Sequence, residues 1–397
     1  MSPPFSFHVV GVSHHTAPVG IREQFALTPA ELSELLARER AAGRSALLLS
    51  TCNRCELYWF GLYDQECWFR DLAHARDATL PEELIRLEGP DAVRHLFTVT
   101  AGLDSQILGE SEILGQVRRA YDAARAAGTT TPEMDLIFSA ALATGRRIRH
   151  ETLLGRHPAS VSTAAVELAA GAWPGGPGDR PVVVLGAGEA AEGVLRSLQA
   201  HGASRVALVN RHPGRAAALA TAWGAVPHGW EALPGLLRTA VLLFVATAAS
   251  RPVVTPDMLA AALAGRDGDE LVTMDLSVPR NVHPEARDLP GVRLLDLDDL
   301  QRLCCPAAGT PATALADAER VLDEEIGRLD LRLRGRAAAP RLAELHRLGS
   351  QVAEQEAAWA LAQLEALSDA ERQVVKEMAD RLVRRVLYPV SRSLREE

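Results

Sequence analysis

A continuous apolar run, Pro181-Val182-Val183-Val184-Leu185, leads into Gly186-Ala187-Gly188-Glu189-Ala190-Ala191, after which Val194, Leu195 and Leu198 recur at helical spacing. Few folds accommodate that order. An unbroken apolar strand must be covered on both faces, which points to a parallel sheet flanked by helices. The first glycine permits a tight turn, the second lets a pyrophosphate approach the backbone, and alanine is tolerated at the third, packing position. A second apolar segment, Arg205 to Asn210, follows at the distance expected of a strand–helix–strand unit. Further strands are expected at Val241 to Thr247 and Leu271 to Ser277. Residues Gly186 to Ala191 are therefore the candidate cradle of a Rossmann-type site. Asn210 and Arg211 stand where an acidic residue would bind the ribose hydroxyl of NAD. An arginine there accommodates a 2′-phosphate, so the sequence favours NADPH.

A second stretch carries reactive chemistry. Ala46-Leu47-Leu48-Leu49 and Leu57-Tyr58-Trp59-Phe60 read as strands, and between them lies Ser50-Thr51-Cys52-Asn53-Arg54-Cys55-Glu56. That places Cys52 on a polar turn, where a neighbouring cation such as Arg54 would favour the thiolate. Arg54 lies two residues on, a spacing that on a strand puts both side chains on one face. Cys52-x-x-Cys55 is also the spacing of a redox dithiol or half a zinc site. Cys67, Cys304 and Cys305 supply no second C-x-x-C, and no metal is expected. Earlier in the chain, Phe5 to Val12 reads as a strand and Thr28-Pro29-Ala30-Glu31 as a capped helix start. From Asp91 to about Glu151 the pattern turns helical. Gly102, Gly109 and Gly115 within it suggest breaks or close backbone approach.

The string from Ser50 to Tyr58 resembles the active-site signature of glutamyl-tRNA reductases. The block from Gly102 to Val117, with His95 just before it, matches the same family nearly residue for residue, and Asp275 to Val282 resembles one of its loops. Cys55 stands where the family usually has threonine, Ser111 and Glu112 where many members carry proline or aspartate and glutamine, and Asn281 where aspartate is commoner. The resemblance implies NADPH-dependent reduction of the glutamyl group of glutamyl-tRNA(Glu) to glutamate 1-semialdehyde, the opening step of tetrapyrrole synthesis. By the same resemblance Cys52 attacks the aminoacyl ester, leaving a thioester that is then reduced, and His95 assists proton transfer. Thr51, Asn53, Arg54, Ser105, Glu110, Ser111, Glu112 and Gln116 would position the substrate. A relative recruited to specialised metabolism, and a tRNA- or protein-binding relative without chemistry, are the alternative readings.

Beyond residue 309 alanine, leucine, glutamate and arginine dominate. Leu315, Ala318, Leu322, Ile326, Leu329 and Leu333 make a stripe along one long helix, and Leu345, Leu348, Val352 and Trp359 continue a second. Ser368-Asp369-Ala370-Glu371 is a capping box opening a third, striped by Val375, Met378, Leu382 and Val386. Such stripes need partners, and the resemblance implies a dimerisation bundle on a connecting helix. The expected architecture is α/β: an N-terminal α+β catalytic domain (1–156), a Rossmann NADP domain (157–308) and a helical dimerisation domain (309–397).

Net charge of −9 does not mark a nucleic-acid binder. Arg146, Arg147, Arg149, His150 and Arg156 form one local basic patch, and Arg381, Arg384, Arg385, Arg392 and Arg395 another, each readable as a solvated helix face. Five unevenly spaced cysteines and the lack of a long apolar segment point to a reducing cytoplasm and away from a membrane. The resemblance further implies a homodimer, with glutamate-1-semialdehyde aminomutase as recipient of the product.

Overall fold

The computed structural model describes residues 6–63, 66–79, 84–110, 112–152, 154, 160–171, 177–264, 266, 270–303, 312–364 and 367–396. Strands β1 (Phe7–Ser13), β2 (Leu47–Ser50), β3 (Arg54–Phe60) and β4 (Ile85–Glu88) form an antiparallel sheet in the order β2-β3-β1-β4. The last pair of the β2–β3 hairpin is Ser50 with Cys55, and residues 51–53 lie between the two strands as its turn. The helix Pro29–Ala41 starts as its sequence predicts: Glu31 N–H donates to Thr28 Oγ1, and Glu31 Oε2 accepts from Thr28 N–H at 2.7 Å.

Helices Gly89–Thr100, Glu112–Ala127 and Pro132–Glu151 supply the expected helical part. Between the first two the chain makes a loop, residues 101–110. Gly102 and Gly109 take φ values of +76° and +77° there, and Gly109 N–H donates to the Gly102 carbonyl at 2.9 Å. Gly115 marks no break. It lies inside the helix Glu112–Ala127, where an added Cβ would meet only the Arg119 side chain at 3.5 Å.

Six strands, β5 (Pro181–Leu185), β6 (Arg205–Val209), β7 (Val226–His228), β8 (Leu242–Val245), β9 (Leu271–Asp275) and β10 (Val292–Leu295), form a parallel sheet in the order β10-β9-β8-β5-β6-β7. Alternate residues of β5 feed two apolar layers: Val182 and Val184 pack with Ala191, Val194 and Leu198, and Val183 and Leu185 with Leu233, Leu237 and Leu259. Both faces are covered, as the apolar run requires.

Residues 323–397 belong to a second compact unit. Where two stripes suggest two helices, one helix runs from Ala312 to Gln363, with Pro340 inside it. Ala337, Ala338 and Ala339 are strong helix formers and carry the chain through the single bond that proline removes. The helix Asp369–Glu396 opens at the expected box, Ser368 N–H donating to Glu371 Oε2 at 2.9 Å. The two helices meet closely at Gly349, whose Cβ position lies 2.7 Å from Val383 and Leu387 side chains. Met378, Leu382 and Val386 remain more than half exposed. No helix among the described residues is long and apolar enough to cross a membrane.

Candidate active site

Cys52 sits at the apex of the β2–β3 turn. Thr51 Oγ1 accepts from the N–H groups of Asn53 (3.1 Å) and Arg54 (3.2 Å), and Thr51 N–H donates to the Arg54 carbonyl at 2.8 Å. His14 N–H fixes the turn from β1's end by donating to the Asn53 carbonyl at 2.9 Å. The half-buried Cys52 packs, with Ile107, against the apolar layer of the parallel sheet that contains Ala246, Leu276 and Val278. Burial pushes the thiol up to about 12; Glu110 and then Glu112 add to the rise, and Arg22 opposes it. The expected activation by an adjacent arginine is therefore not what this site provides.

Arg54 explains why. Its side chain is 0% exposed; Nη1 donates to Glu56 Oε1 at 2.8 Å, while Nη2 reaches the Asp104 carboxylate at 3.0 Å and donates to the Asp104 carbonyl. Tyr58 O–H donates to Glu56 Oε2 at 2.6 Å, and His95 Nε2 lies 3.0 Å from Glu56 Oε1. Arg54, Glu56 and Tyr58 alternate on β3 and share one face, whereas Cys52 lies in the turn outside the strand. The strand alternation on which the same-face relation of Cys52 and Arg54 rested therefore does not extend to Cys52. Burial would raise the Glu56 carboxyl, but Arg54 and His95 outweigh it and hold it well below the usual carboxylate range. His14 is lowered to about 3 by burial, His15 and Arg54, and so stays neutral near pH 7.

Loop 101–110 closes the site from the other side. Ser105 is half-buried, and Gln106 donates to Gln301 at 3.2 Å. Arg149, read from sequence as part of a surface patch, donates instead to the Glu110 carbonyl. Asn53 Oδ1, Glu110 Oε2 and Gln116 Oε1 are buried without hydrogen-bond partners among the described residues. Buried polar atoms are normally paired, so each of these three is open to a polar group of a ligand. Glu112 lies in the first turn of its helix, its carboxyl raised by burial and Glu189. Ser111 and Arg156 lie outside the described residues.

A cavity of about 700 Å³ opens at the carboxyl ends of the parallel strands, lined by Gly186, Ala187, Gly188, Glu189, Ala190, Asn210 and Arg211, and by Ala246, Leu276 and Val278. Its volume lies within the range of small-molecule sites. Ala191 does not line it but packs beneath, fully buried, as its third position requires. Gly186 has φ +120°, and an added Cβ would lie 2.0 Å from the Ala246 carbonyl oxygen; at Gly188 an added Cβ meets nothing within 4 Å. Gly186→Ala should therefore cost about 3 kcal/mol in urea unfolding. Gly188→Val should leave unfolding within about 0.5 kcal/mol of wild type while weakening dinucleotide binding at least tenfold. Equal stability losses in the two would contradict this division.

Polar contacts join the two parts of this unit around the site. Arg280 donates to Glu23 from N–H, Nε and Nη2 (2.8, 3.0 and 2.6 Å), Asp298 accepts from Val19 N–H (2.7 Å) and Arg22 (3.1 Å), and Arg119 grips Glu189 with two bonds of 2.7 and 2.8 Å.

Three family models match in order: the glutamyl-tRNA(Glu) reductase N-terminal domain over residues 10–152, shikimate/quinate 5-dehydrogenase over 173–303, and the glutamyl-tRNA(Glu) reductase dimerisation domain over 317–397. Proteins named glutamyl-tRNA reductase from Desulforudis audaxviator and Chloroflexus aggregans are 34% and 36% identical, over 97% and 98% of this chain and 88% and 90% of theirs. One from Deinococcus radiodurans is 40% identical over 81% of this chain and 91% of its own. The chain belongs to the glutamyl-tRNA reductase family.

Its departures from the glutamyl-tRNA reductase pattern now have physical settings. Cys55 is 2% exposed in the core of the antiparallel sheet, its S–H facing the Phe25 carbonyl at 3.3 Å, whereas Cys52 packs on the other domain's layer. Asn281 is fully buried; Nδ2 donates to the carbonyls of Ala249 (2.9 Å) and Pro279 (3.0 Å), and Oδ1 accepts from Thr247. An aspartate could not make those donations. Glu56, Asp104, His14 and Arg22 were not singled out from sequence as site residues, and Arg149 was read only as part of a basic patch. The available signal was the alternation of Arg54, Glu56 and Tyr58, polar residues on a strand whose other face is apolar.

Proposed function

We propose that this protein reduces the glutamyl group of glutamyl-tRNA(Glu) to glutamate 1-semialdehyde with NADPH, opening tetrapyrrole synthesis, and that it works as a homodimer through its C-terminal helices. The observation that carries the reading is the position of Cys52: it shares one apolar cluster with Ala246, Leu276 and Val278, which also line the dinucleotide cavity. A thiol reacting with an ester and a dinucleotide reacting with the product would thus meet at one seam.

In this reading Cys52 attacks the ester carbonyl, the tRNA 3′-hydroxyl leaves, and the glutamyl group stays as a thioester. The apolar packing around Cys52 limits water, which would otherwise hydrolyse that thioester. Asn53, Glu110 and Gln116, whose buried oxygens have no partners among the described residues, offer acceptors to the substrate's ammonium group. Thr51 holds the turn, and Ser105 and Glu112 would contact the substrate. Both amino groups of Arg54 are engaged, so its part is to position the turn and the loop through Glu56 and Asp104. His95 serves the same network through Glu56. NADPH, when bound, supplies the hydride. Gly186 and Gly188 let its pyrophosphate approach, and Arg211, exposed on the cavity wall, would hold the 2′-phosphate.

Incubation with glutamyl-tRNA and NADPH, with an aminooxy reagent to trap the aldehyde, tests the reading; release of free glutamate alone would refute it. Arg211→Asp should lower kcat/KM for NADPH at least tenfold and raise the relative use of NADH, because it replaces a phosphate partner with a hydroxyl acceptor. Unchanged discrimination in steady-state kinetics would assign the phosphate to another residue.

A further inference from the structure

Two histidines follow β1, His14 and His15, and the thioester chemistry uses neither. The backbone fixes their place. Ser13, the last residue of β1, pairs with Arg54 of β3. His14 N–H then donates to the carbonyl of Asn53 at 2.9 Å, and Asn53 directly follows Cys52. The two histidines therefore abut the turn that presents the thiol.

Their rings lie against each other, with centroids 3.9 Å apart and 39° between the planes. His14 is half-buried, and His15 is the outer ring, with more than half of its side chain exposed. An exposed side chain ordinarily changes rotamer freely. This one is held, because His15 Nε2 lies 2.9 Å from Asp104 Oδ1. The other oxygen of Asp104, Oδ2, lies 3.0 Å from Nη2 of the fully buried Arg54. A buried guanidinium thus anchors the carboxylate that holds an exposed ring. These side chains do not make a metal centre: among the described residues no group of three or more could hold an ion.

A fixed aromatic face open to solvent is a surface on which a nucleobase stacks. The substrate brings a base to this place. In an aminoacyl ester of tRNA a single ribose separates the terminal base from the reacting carbonyl. With that carbonyl at Cys52, the base must rest on surface beside the cysteine turn. Part of that surroundings is already taken, since Cys52 packs with Ile107 on the apolar layer of the parallel sheet. The histidine pair belongs to the antiparallel-sheet domain and is open.

We propose that His15, backed by His14 and held by Asp104, is the platform on which the terminal adenine of the tRNA stacks while its ester reaches Cys52. This rests on the reductase reading and adds to it a site for the base. Stacking accepts any base, so the platform positions the ester and reads no sequence.

The test is single-turnover acylation of Cys52 without NADPH, followed by release of tRNA, with enzyme in excess but below saturation. Two chemically charged substrates are compared: glutamyl-tRNA, and the same tRNA lacking only its terminal base. Wild type should react about 5- to 100-fold more slowly with the abasic substrate, the typical effect of one stacked base. His15→Ala should lose as much on the intact tRNA and little further on the abasic one, because the partner is already gone. His15→Phe keeps an aromatic face without the Asp104 contact and should be clearly faster than His15→Ala on the intact tRNA. Equal losses in His15→Ala on both substrates, with urea unfolding unchanged, would make His15 a support of the turn and end its role in base binding. His15→Phe no faster than His15→Ala would assign the loss to the Asp104 contact and likewise refute the platform. Wild type using both substrates at the same rate would refute it without any variant, which decides the question should His15→Ala not fold. Absence of acylation of wild type by intact glutamyl-tRNA would instead overturn the reductase reading itself.

Discussion

Cys52→Ser is expected to lose aldehyde formation on the order of 10³-fold or more, because removal of a covalent nucleophile disables the steps that depend on it together. Serine keeps the size and the turn, so folding should be unaffected. The hydroxyl is a weaker nucleophile than sulfur, and an ester left on it is a poorer hydride acceptor than a thioester. Cys55→Ala provides the contrast. That thiol packs in a different core, facing the Phe25 carbonyl. Its loss should cost about 1 kcal/mol of stability and leave turnover within threefold of wild type. Equal loss of activity in both variants, with a disulfide forming during turnover, would replace the single nucleophile by a dithiol.

Glu56→Gln should be the most destabilising conservative change in the N-terminal domain. It leaves the fully buried Arg54 guanidinium, which cannot discharge, without its nearest carboxylate, and also disturbs the contacts of Tyr58 and His95. Breaking a buried pair on one side typically costs about 3–5 kcal/mol. The Asp104 carboxylate still faces Arg54 at 3.0 Å, so the lower end applies. The pH dependence follows from the depressed carboxyl of Glu56. A carboxylate held below its unfolded value contributes stability that is full above that value, about 4.3. That contribution is lost as pH falls further, towards the folded value. The difference between wild type and Glu56→Gln in urea unfolding should thus be flat around neutral pH and shrink below about pH 4. A difference under about 1 kcal/mol at pH 7 would mean that water or Asp104 compensates the arginine.

Elements whose signals are local were legible in the sequence. The Val182–Leu185 strand, the glycine turn after it and the Thr28 and Ser368 caps each follow from a few neighbouring residues, and the structure has them at those positions. The glycines at 102 and 109 likewise told of the loop. What could not be read is what depends on distant pairing. β7 and β10 have three and four residues, too few for a period to show. Glu56 finds His95 from 39 positions away. Arg54 close to Cys52 in sequence suggested a cation for the thiolate, but the fold pairs that cation with two carboxylates, Glu56 and Asp104. Sequence adjacency placed the residue; only the fold assigned its partner.

The central claim is that the glutamyl group passes through sulfur at Cys52. Mass analysis of the Cys52 peptide after incubation with glutamyl-tRNA alone measures that directly. The account predicts an adduct of one glutamyl group on Cys52, discharged as aldehyde when NADPH is added. Aldehyde formed in the presence of NADPH while Cys52 is never acylated would contradict it.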